Sequence, residues 1–393
     1  MLAAQKIHSY ADARQLAKRR LPWMVFDYID GAAGEGYGEA LNRQVMQKIR
    51  LQPAALINVE QRSLDTNVFD HAGKRPFGVS PMGMCNLSTP GADLMLARLA
   101  AEYSVPVGVS TVASTSLEQM IEVAQGHAWF QLYISGDGRT VDSLLDRAEA
   151  SGYRTLVITV DVAEVGRRPR ELRRGFKMPF RIGVPQFIDF ALHPEWSLST
   201  LFKGRPEMAN FGGDYGTFDR EETRARADWT DLQRIRERWK GKLVIKGVLN
   251  VADAVRMKNA GVDAVQISSH GGRQLESAPP AILMLREIRA AVGPEFPLFY
   301  DSGIRCGEDI LKAYAMGADF VLLGRAMLYA MAAGGEAGLE KMWKVLSDET
   351  SIAMAQLGLK CIPDRSDASA MIWEQTAMQL TDDPLTISGK AYV

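Results

Sequence analysis

Cysteine is scarce in this chain of 393 residues: its three cysteines, Cys85, Cys306 and Cys361, lie far apart, with no CxxC pair and no metal-ligand spacing. That scarcity argues against a disulfide framework and a zinc site, fits a reducing compartment, and leaves the thiols as small hydrophobes expected to be buried. Charge of one sign is lacking too. The 46 Lys and Arg almost cancel the 47 Asp and Glu, for a formal net charge of -1, so no global field draws in nucleic acid, which is not an expected partner. Nowhere do about 18 apolar residues run without interruption, so no helix is expected to span a membrane. The opening stretch MLAAQKIHSYADARQLAKRRLP has no apolar core of signal-peptide length and reads as a helix, which points to the cytoplasm.

What the sequence does contain is a hydrophobic share of 47% against 24% charged residues, the balance of a globular chain with a large core. From Arg75 onward eight short apolar runs alternate with segments of helical period: PFGVSPMG (76–83), VPVGVST (105–111), WFQLYI (129–134), TLVITVD (155–161), LVIKG (243–247), DAVQISS (263–269), PLFYD (297–301) and DFVLLG (319–324). Helical patterns follow at 93–104, 117–125, 251–261 and 306–317. Alternation of this kind predicts βαβ units with a parallel sheet buried on both faces, and eight units predict a single (β/α)8 TIM barrel. A doubly wound sheet is less well supported, because no GxGxxG turn follows the first run. The expected organisation is a barrel over about 75–335, an N-terminal helical extension over 1–74, an insertion at about 162–228 after strand four, and a C-terminal helix and tail over 336–393.

In such a barrel the reactive groups stand at the C-terminal ends of the strands. Strand three ends in Gln131 and Tyr133, strand four in Thr159 and Asp161, strand five in Lys246, strand six in Ser268, Ser269 and His270, strand seven in Asp301, and strand eight in Gly324 and Arg325. Of five histidines only His270 ends a strand; His8 falls in the N-terminal helix, His71 before the barrel, His127 at the entrance to strand three and His193 in the insertion. His270 is therefore the candidate base, with Asp161 placed to orient its ring. The turns DSGIRCG (301–307) and LLGRAM (322–327) each carry glycine and an arginine, Arg305 and Arg325, after the two strands that commonly build a phosphate site in this fold.

These residues carry a resemblance. SSHGGRQLE (268–276) looks like SNHGGRQLD, the signature of the FMN-dependent 2-hydroxy acid oxidases and dehydrogenases, and the likeness runs from LPWMVFDYIDGAAGE (21–35) to about Gly358. The resemblance implies FMN as cofactor and oxidation of a small L-2-hydroxy acid, lactate- or mandelate-like. It implies that Tyr28, Tyr133, Arg168, His270 and Arg273 surround the substrate, with Asp161 behind the histidine. FMN would be held around Pro81, Met82 and Gly83 and by Ser110, Gln131, Thr159, Lys246, Ser268, Asp301, Gly303, Arg305, Gly324 and Arg325. Ser269 stands where Asn is usual, Glu276 for Asp, Met82 for Thr, and Pro169 where an acidic residue is frequent, so the pocket's shape departs from the common pattern.

Gly83, the DSG turn at 301–303 and HPEWSLSTLFKGRPEM, which is similar to the insertion of bacterial respiratory lactate dehydrogenases, favour a dehydrogenase that passes electrons to a quinone or another carrier. The alternative in the same family is a soluble oxidase that uses dioxygen and makes hydrogen peroxide. An FMN isomerase or a non-catalytic barrel would leave Tyr28, Arg168, His270 and Arg273 unexplained. Within the insertion, Phe187, Ile188, Phe190, Leu192, Trp196, Leu198, Leu201 and Phe202 lie between Arg181, Lys203 and Arg205. Apolar anchors bordered by cations suit peripheral contact with the inner face of a membrane, while a lid or a subunit contact are the alternatives. The resemblance also implies a homo-oligomer, a tetramer or an octamer.

Overall fold

The computed structural model describes residues 2–69, 71–135, 139–176, 182–204, 206–211, 224–363 and 371–372. Eight parallel strands close on themselves: β1 (Phe77–Met82), β2 (Val107–Ser110), β3 (Ala128–Leu132), β4 (Thr155–Thr159), β5 (Lys242–Val248), β6 (Ala264–Ile267), β7 (Leu298–Tyr300) and β8 (Phe320–Leu323). Closure comes from β8 against β1, where Val321 lies opposite Phe77 and Leu323 opposite Val79. The fold is thus the expected (β/α)8 barrel, and all eight apolar runs supply a strand.

Alternation along each strand decides which residues line the inside. Leu156, Ile158, Leu243 and Ile245 point outward into the large core shared with the helices, whereas Val157, Val244, Ala264, Phe299, Phe320 and Leu322 form a separate cluster inside the barrel. Two residues further along the same inward rows, toward the C-terminal ends, the side chains become polar: Trp129 gives way to Gln131, Val157 to Thr159, Val244 to Lys246, Ala264 to Gln266 and Phe299 to Asp301. One end of the barrel is therefore an apolar plug and the other a polar floor. Beneath the plug sits an antiparallel hairpin, Thr66–Val68 with His71–Gly73. At its turn Phe69 places its ring 5.8 Å from Trp129 and 5.2 Å from Phe299.

The strands stop earlier than the apolar runs suggest. Tyr133, Asp161, Ser268, Ser269, His270, Asp301 and Gly324 all lie just beyond the last paired residue, in the turns of the mouth, and Arg325 begins the helix that follows β8. Polar groups there leave the ladder because their side chains and turns compete for the backbone's hydrogen bonds. The N-terminal extension is mostly helical, as expected, with helices at Leu2–Gln5, Tyr10–Arg20, Trp23–Asp30 and Tyr37–Lys48, but His8 falls in the bend between the first two rather than in a helix. Ser9 ends that bend by capping the second helix, accepting from the Asp12 amide at 3.2 Å. The last barrel helix and the expected C-terminal helix are continuous over Arg325–Gln356, with a kink where Gly334 and Gly335 leave helical geometry. Of the cysteines only Cys85 is buried; Cys306 is half-buried and Cys361 exposed, which corrects the expectation for that pair.

Candidate active site at the barrel mouth

A single turn presents the candidate base. After β6 the chain passes into His270–Gly272, where three successive residues take φ of 54°, 64° and 75°. Glycine adopts this left-handed region without penalty, and histidine does so more often than most side chains. Gly272 has a second reason to be glycine, since a Cβ there would stand 2.7 Å from the amide nitrogen of Glu39 in the N-terminal extension. The turn aims the His270 ring at Asp161, with Nδ1 at 3.0 Å and 3.3 Å from the two carboxylate oxygens. A carboxylate on Nδ1 fixes the proton on that nitrogen and leaves Nε2 as the basic atom. Burial lowers the His270 pKa from its ordinary value, and the attraction of Asp161 offsets only part of that effect. Burial pushes the Asp161 carboxyl upward, but His270 and Lys246 together outweigh it and keep its pKa below the ordinary value.

Across the mouth stand two arginines. Arg273 donates to the carbonyl oxygens of Tyr28 at 2.7 Å and Gly31 at 2.9 Å, and lies over the Tyr28 ring at 5.2 Å from its centroid. Its Nη2 also reaches Glu171 Oε1 at 2.8 Å. Arg168 donates to the carbonyl of Arg273 at 3.1 Å and to Gln274 Oε1 at 3.0 Å, with Glu171 Oε1 at 3.4 Å. Glu171 is buried, with 3% of its surface exposed, and pairs with both guanidinium groups at once. Tyr28 completes this wall, stacked on Phe176 with ring centroids 4.4 Å apart and its hydroxyl 3.4 Å from the Gly83 carbonyl. Tyr133 stands on the other side, its ring under the Arg224 guanidinium at 5.1 Å. One cavity joins Tyr28, Tyr133, Arg168, Lys246, His270 and Arg273 with Pro81, Met82, Gly83, Asp301, Gly303, Arg305, Gly324 and Arg325. Ser110, Gln131, Thr159 and Ser268 are buried in the polar floor behind it.

Comparison with known proteins decides the family. The model of the FMN-dependent dehydrogenase family matches residues 17–372. This chain belongs to that family. It is 37% identical over 362 residues to (S)-mandelate dehydrogenase of Pseudomonas putida, a match covering 90% of this chain and 91% of that protein. It is 35% identical over 377 residues to L-lactate dehydrogenase of Pseudomonas syringae pv. syringae (strain B728a), covering 93% and 98%. A crystal structure described as the monotopic membrane protein (S)-mandelate dehydrogenase superposes with a TM-score of 0.89 at 36% identity, covering 94% of this chain and 100% of that one. The protein is an FMN-dependent oxidoreductase.

The residues present fit FMN. In the floor, Gln131 Nε2, Thr159 Oγ1 and Arg305 Nε are buried polar atoms without a protein partner, the condition that a ligand with many acceptors and donors relieves. At Gly324 a Cβ would meet only Met82 Sδ, at 3.7 Å, and would otherwise project into the cavity. Gly324 also precedes the helix starting at Arg325, whose first turn has no side-chain cap, a natural seat for a phosphate. Positive charge is concentrated there: burial lowers the Arg325 pKa, and Arg273 and Arg305 lower it further. Burial acts to lower Lys246 as well, but Asp301 and Asp161 outweigh it and keep the side chain cationic.

Several expected ligands have protein partners of their own. Arg325 donates to the carbonyls of Ile29 at 3.0 Å, Gly271 at 2.8 Å and Gly31 at 2.6 Å, so it fastens the extension to the turn that carries His270. Arg305 Nη2 pairs with Glu39 at 3.0 Å. Asp301 accepts from Ser80, Gln266, Ser268 and Ser302 and is a hub of the floor. Sequence reasoning missed Glu171, Ser302 and Arg224. The acidic residue frequent after Arg168 gives way here to Pro169, which occupies the first turn of the Pro169–Arg173 helix, and Glu171 supplies a carboxylate two positions on. Its spacing of three from Arg168 in a helix was the available signal. Glu276 accepts from the Tyr37 amide at 3.0 Å and so caps the start of the Tyr37–Lys48 helix.

Proposed function

We propose that the protein oxidises a small L-2-hydroxy acid, lactate- or mandelate-like, to the 2-oxo acid and passes the electrons to a quinone or a similar carrier. The observation that carries this reading is the pairing of His270 with Asp161 across one cavity from Arg273 and Arg168. Arg273, with Tyr28 and Arg168, receives the substrate carboxylate, the planar fork being suited to two oxygens. His270 Nε2 then takes a proton, from Cα or from the hydroxyl, and Asp161 stabilises the imidazolium that results. Tyr133 hydrogen-bonds the reacting oxygen. When bound, FMN accepts the two electrons, and the buried cation of Lys246 favours the more negative reduced state. Anaerobic addition of L-lactate, L-mandelate and glycolate to the FMN-loaded enzyme tests the reading. Bleaching of the flavin by at least one acid is expected; an enzyme that holds FMN and is bleached by none would overturn it and leave an isomerase or a binding barrel.

The dehydrogenase assignment and the location rest on the insertion. Two helices, Val184–Leu192 and Pro194–Lys203, expose Val184, Phe187, Ile188, Leu192, Leu198, Leu201 and Phe202, the last at 82%. Phe190 and Trp196 do not belong to that face: Trp196 is buried and donates to the Leu87 carbonyl at 2.8 Å. Arg181 and Arg205 lie outside the described residues, and Lys203 borders the patch. No helix among the described residues is long and apolar enough to cross a membrane. An apolar surface on two short helices suits shallow insertion into the headgroup boundary of the inner membrane face, where a quinone meets the reduced flavin. Rapid peroxide formation with no quinone reduction would replace this part of the reading by a soluble oxidase.

A further inference from the structure

Three consecutive backbone amides present the candidate base, and all three are held by two serine hydroxyls. Ser302 Oγ accepts from the amides of Ser269 at 3.1 Å and Gly271 at 3.2 Å; Ser268 Oγ accepts from the amide of His270 at 3.0 Å. Both hydroxyls donate onward to the same oxygen of Asp301, at 2.9 Å from Ser302 and 2.6 Å from Ser268. Ser268 accepts a second bond from Lys246 at 3.1 Å, so each hydroxyl is saturated with two acceptances and one donation. Ser302 achieves this at a cost, because its backbone sits at φ 93°, where glycine is the comfortable residue. Glycine at 302 would relieve the backbone and lose the hydroxyl. A residue kept in a strained conformation for its side chain points to a task for that side chain.

We infer that Ser302 is a positioning residue that clamps the 269–271 backbone and thereby sets the aim of His270 at the substrate. The inference rests on the hydroxy-acid reading for its kinetic consequence. Its structural part stands apart from that reading. Asp301 is the anchor of the clamp, and because Gln266 and Ser80 hold its other oxygen, the anchor itself has little freedom to move.

The test compares Ser302→Gly and Ser302→Ala in the FMN-loaded enzyme. Ser302→Gly should fold, keep its FMN and melt no lower than the parent, while kcat falls about tenfold or more, since small misalignments of a reacting group cost up to about a hundredfold. KM should stay within about twofold. The isotope effect with Cα-deuterated substrate should rise as cleavage of the Cα–H bond becomes the slow step. Ser302→Ala should show the same kinetic loss and a lower melting temperature than Ser302→Gly, having kept the strain without the clamp. Hydrogen exchange at the Ser269 and Gly271 amides should quicken in both variants. Parent-like kcat, isotope effect and exchange in Ser302→Gly would overturn the inference, as would loss of FMN or of melting temperature in step with activity. A parent enzyme that no hydroxy acid reduces would instead remove the functional reading, and the exchange measurement would then decide the clamp alone.

Discussion

His270 reaches its place against two penalties, a left-handed backbone and a ring drawn out of water, and both shape how it titrates. A base must be neutral to work, so the burial that lowers its pKa extends activity toward acid, and Asp161 pulls the other way. Asp161→Asn should therefore move the acid limb of the kcat/KM profile to lower pH while kcat falls, because the imidazolium formed in the reaction loses its partner; a limb moving upward would refute the pairing's role. His270→Gln should keep FMN and lose about 10²–10⁴-fold or more in turnover, measured as steady-state dye reduction. Arg273→Lys should lower kcat/KM by about ten- to a hundredfold, following from ~1.5–3 kcal/mol for a charged hydrogen bond, since an ammonium cannot reach Tyr28, Gly31 and Glu171 together. His270 and Asp161 were legible in the sequence because each follows a recognisable strand. Ser302 was not, because the amides it holds lie about 30 positions away on another loop, and of Glu171 only the spacing from Arg168 was local, its bond to Arg273 spanning about 100 positions.

Helix Trp23–Asp30 shows how an element outside the barrel becomes part of its mouth. Asp30 accepts from Arg14 at 2.6 Å and 2.8 Å, from Arg170 at 2.9 Å and from Tyr329 at 2.5 Å; Asp27 pairs with Arg170 and Arg174. That belt binds the helix carrying Tyr28 to the Pro169–Arg173 helix carrying Glu171. Burial alone would raise the Asp30 carboxyl, but its hydrogen bonds from Arg14, Tyr329 and Arg170 hold it well below the usual carboxylate range. A depressed folded pKa contributes stability that is present above the unfolded value near pH ~3.9 and lost as pH falls toward the folded one. Asp30→Asn should cost about 2–3 kcal/mol at neutral pH, allowing for half-exposed arginine partners, and raise KM through Tyr28. In calorimetric melts the gap to the parent should narrow below about pH 4; a gap constant with pH would mean the charge is not what matters. The barrel strands were readable because strands buried on both faces are continuous apolar runs. Their C-terminal limits were overrun, since Tyr133, Asp161 and Ser268 continue the inward alternation after the ladder has ended.

At the scale of the whole molecule, the first of the two insertion helices is fastened to the helix that carries Tyr28 into the cavity by Asp189, which accepts from the amides of Trp23 and Met24 at 2.9 Å and 3.2 Å. Replacing the exposed Phe187, Ile188, Leu198, Leu201 and Phe202 by serine, with Asp189 and Trp196 left in place, should leave FMN and dye reduction intact and abolish binding to anionic liposomes in a flotation assay. Equal flotation of parent and variant would move the membrane contact elsewhere. Among the described residues the far end of the barrel offers no second way in. Phe69 and the ring of Trp129 and Phe299 stopper it. On the proposed function, reductant and oxidant then use one vestibule in turn, the 2-oxo acid departing before the acceptor arrives, as in any enzyme whose two half-reactions share a doorway. Initial rates against the hydroxy acid at several fixed acceptor concentrations should give parallel double-reciprocal lines, and lines that cross would mean that the acceptor draws electrons from the flavin while the acid or its product still fills the entrance.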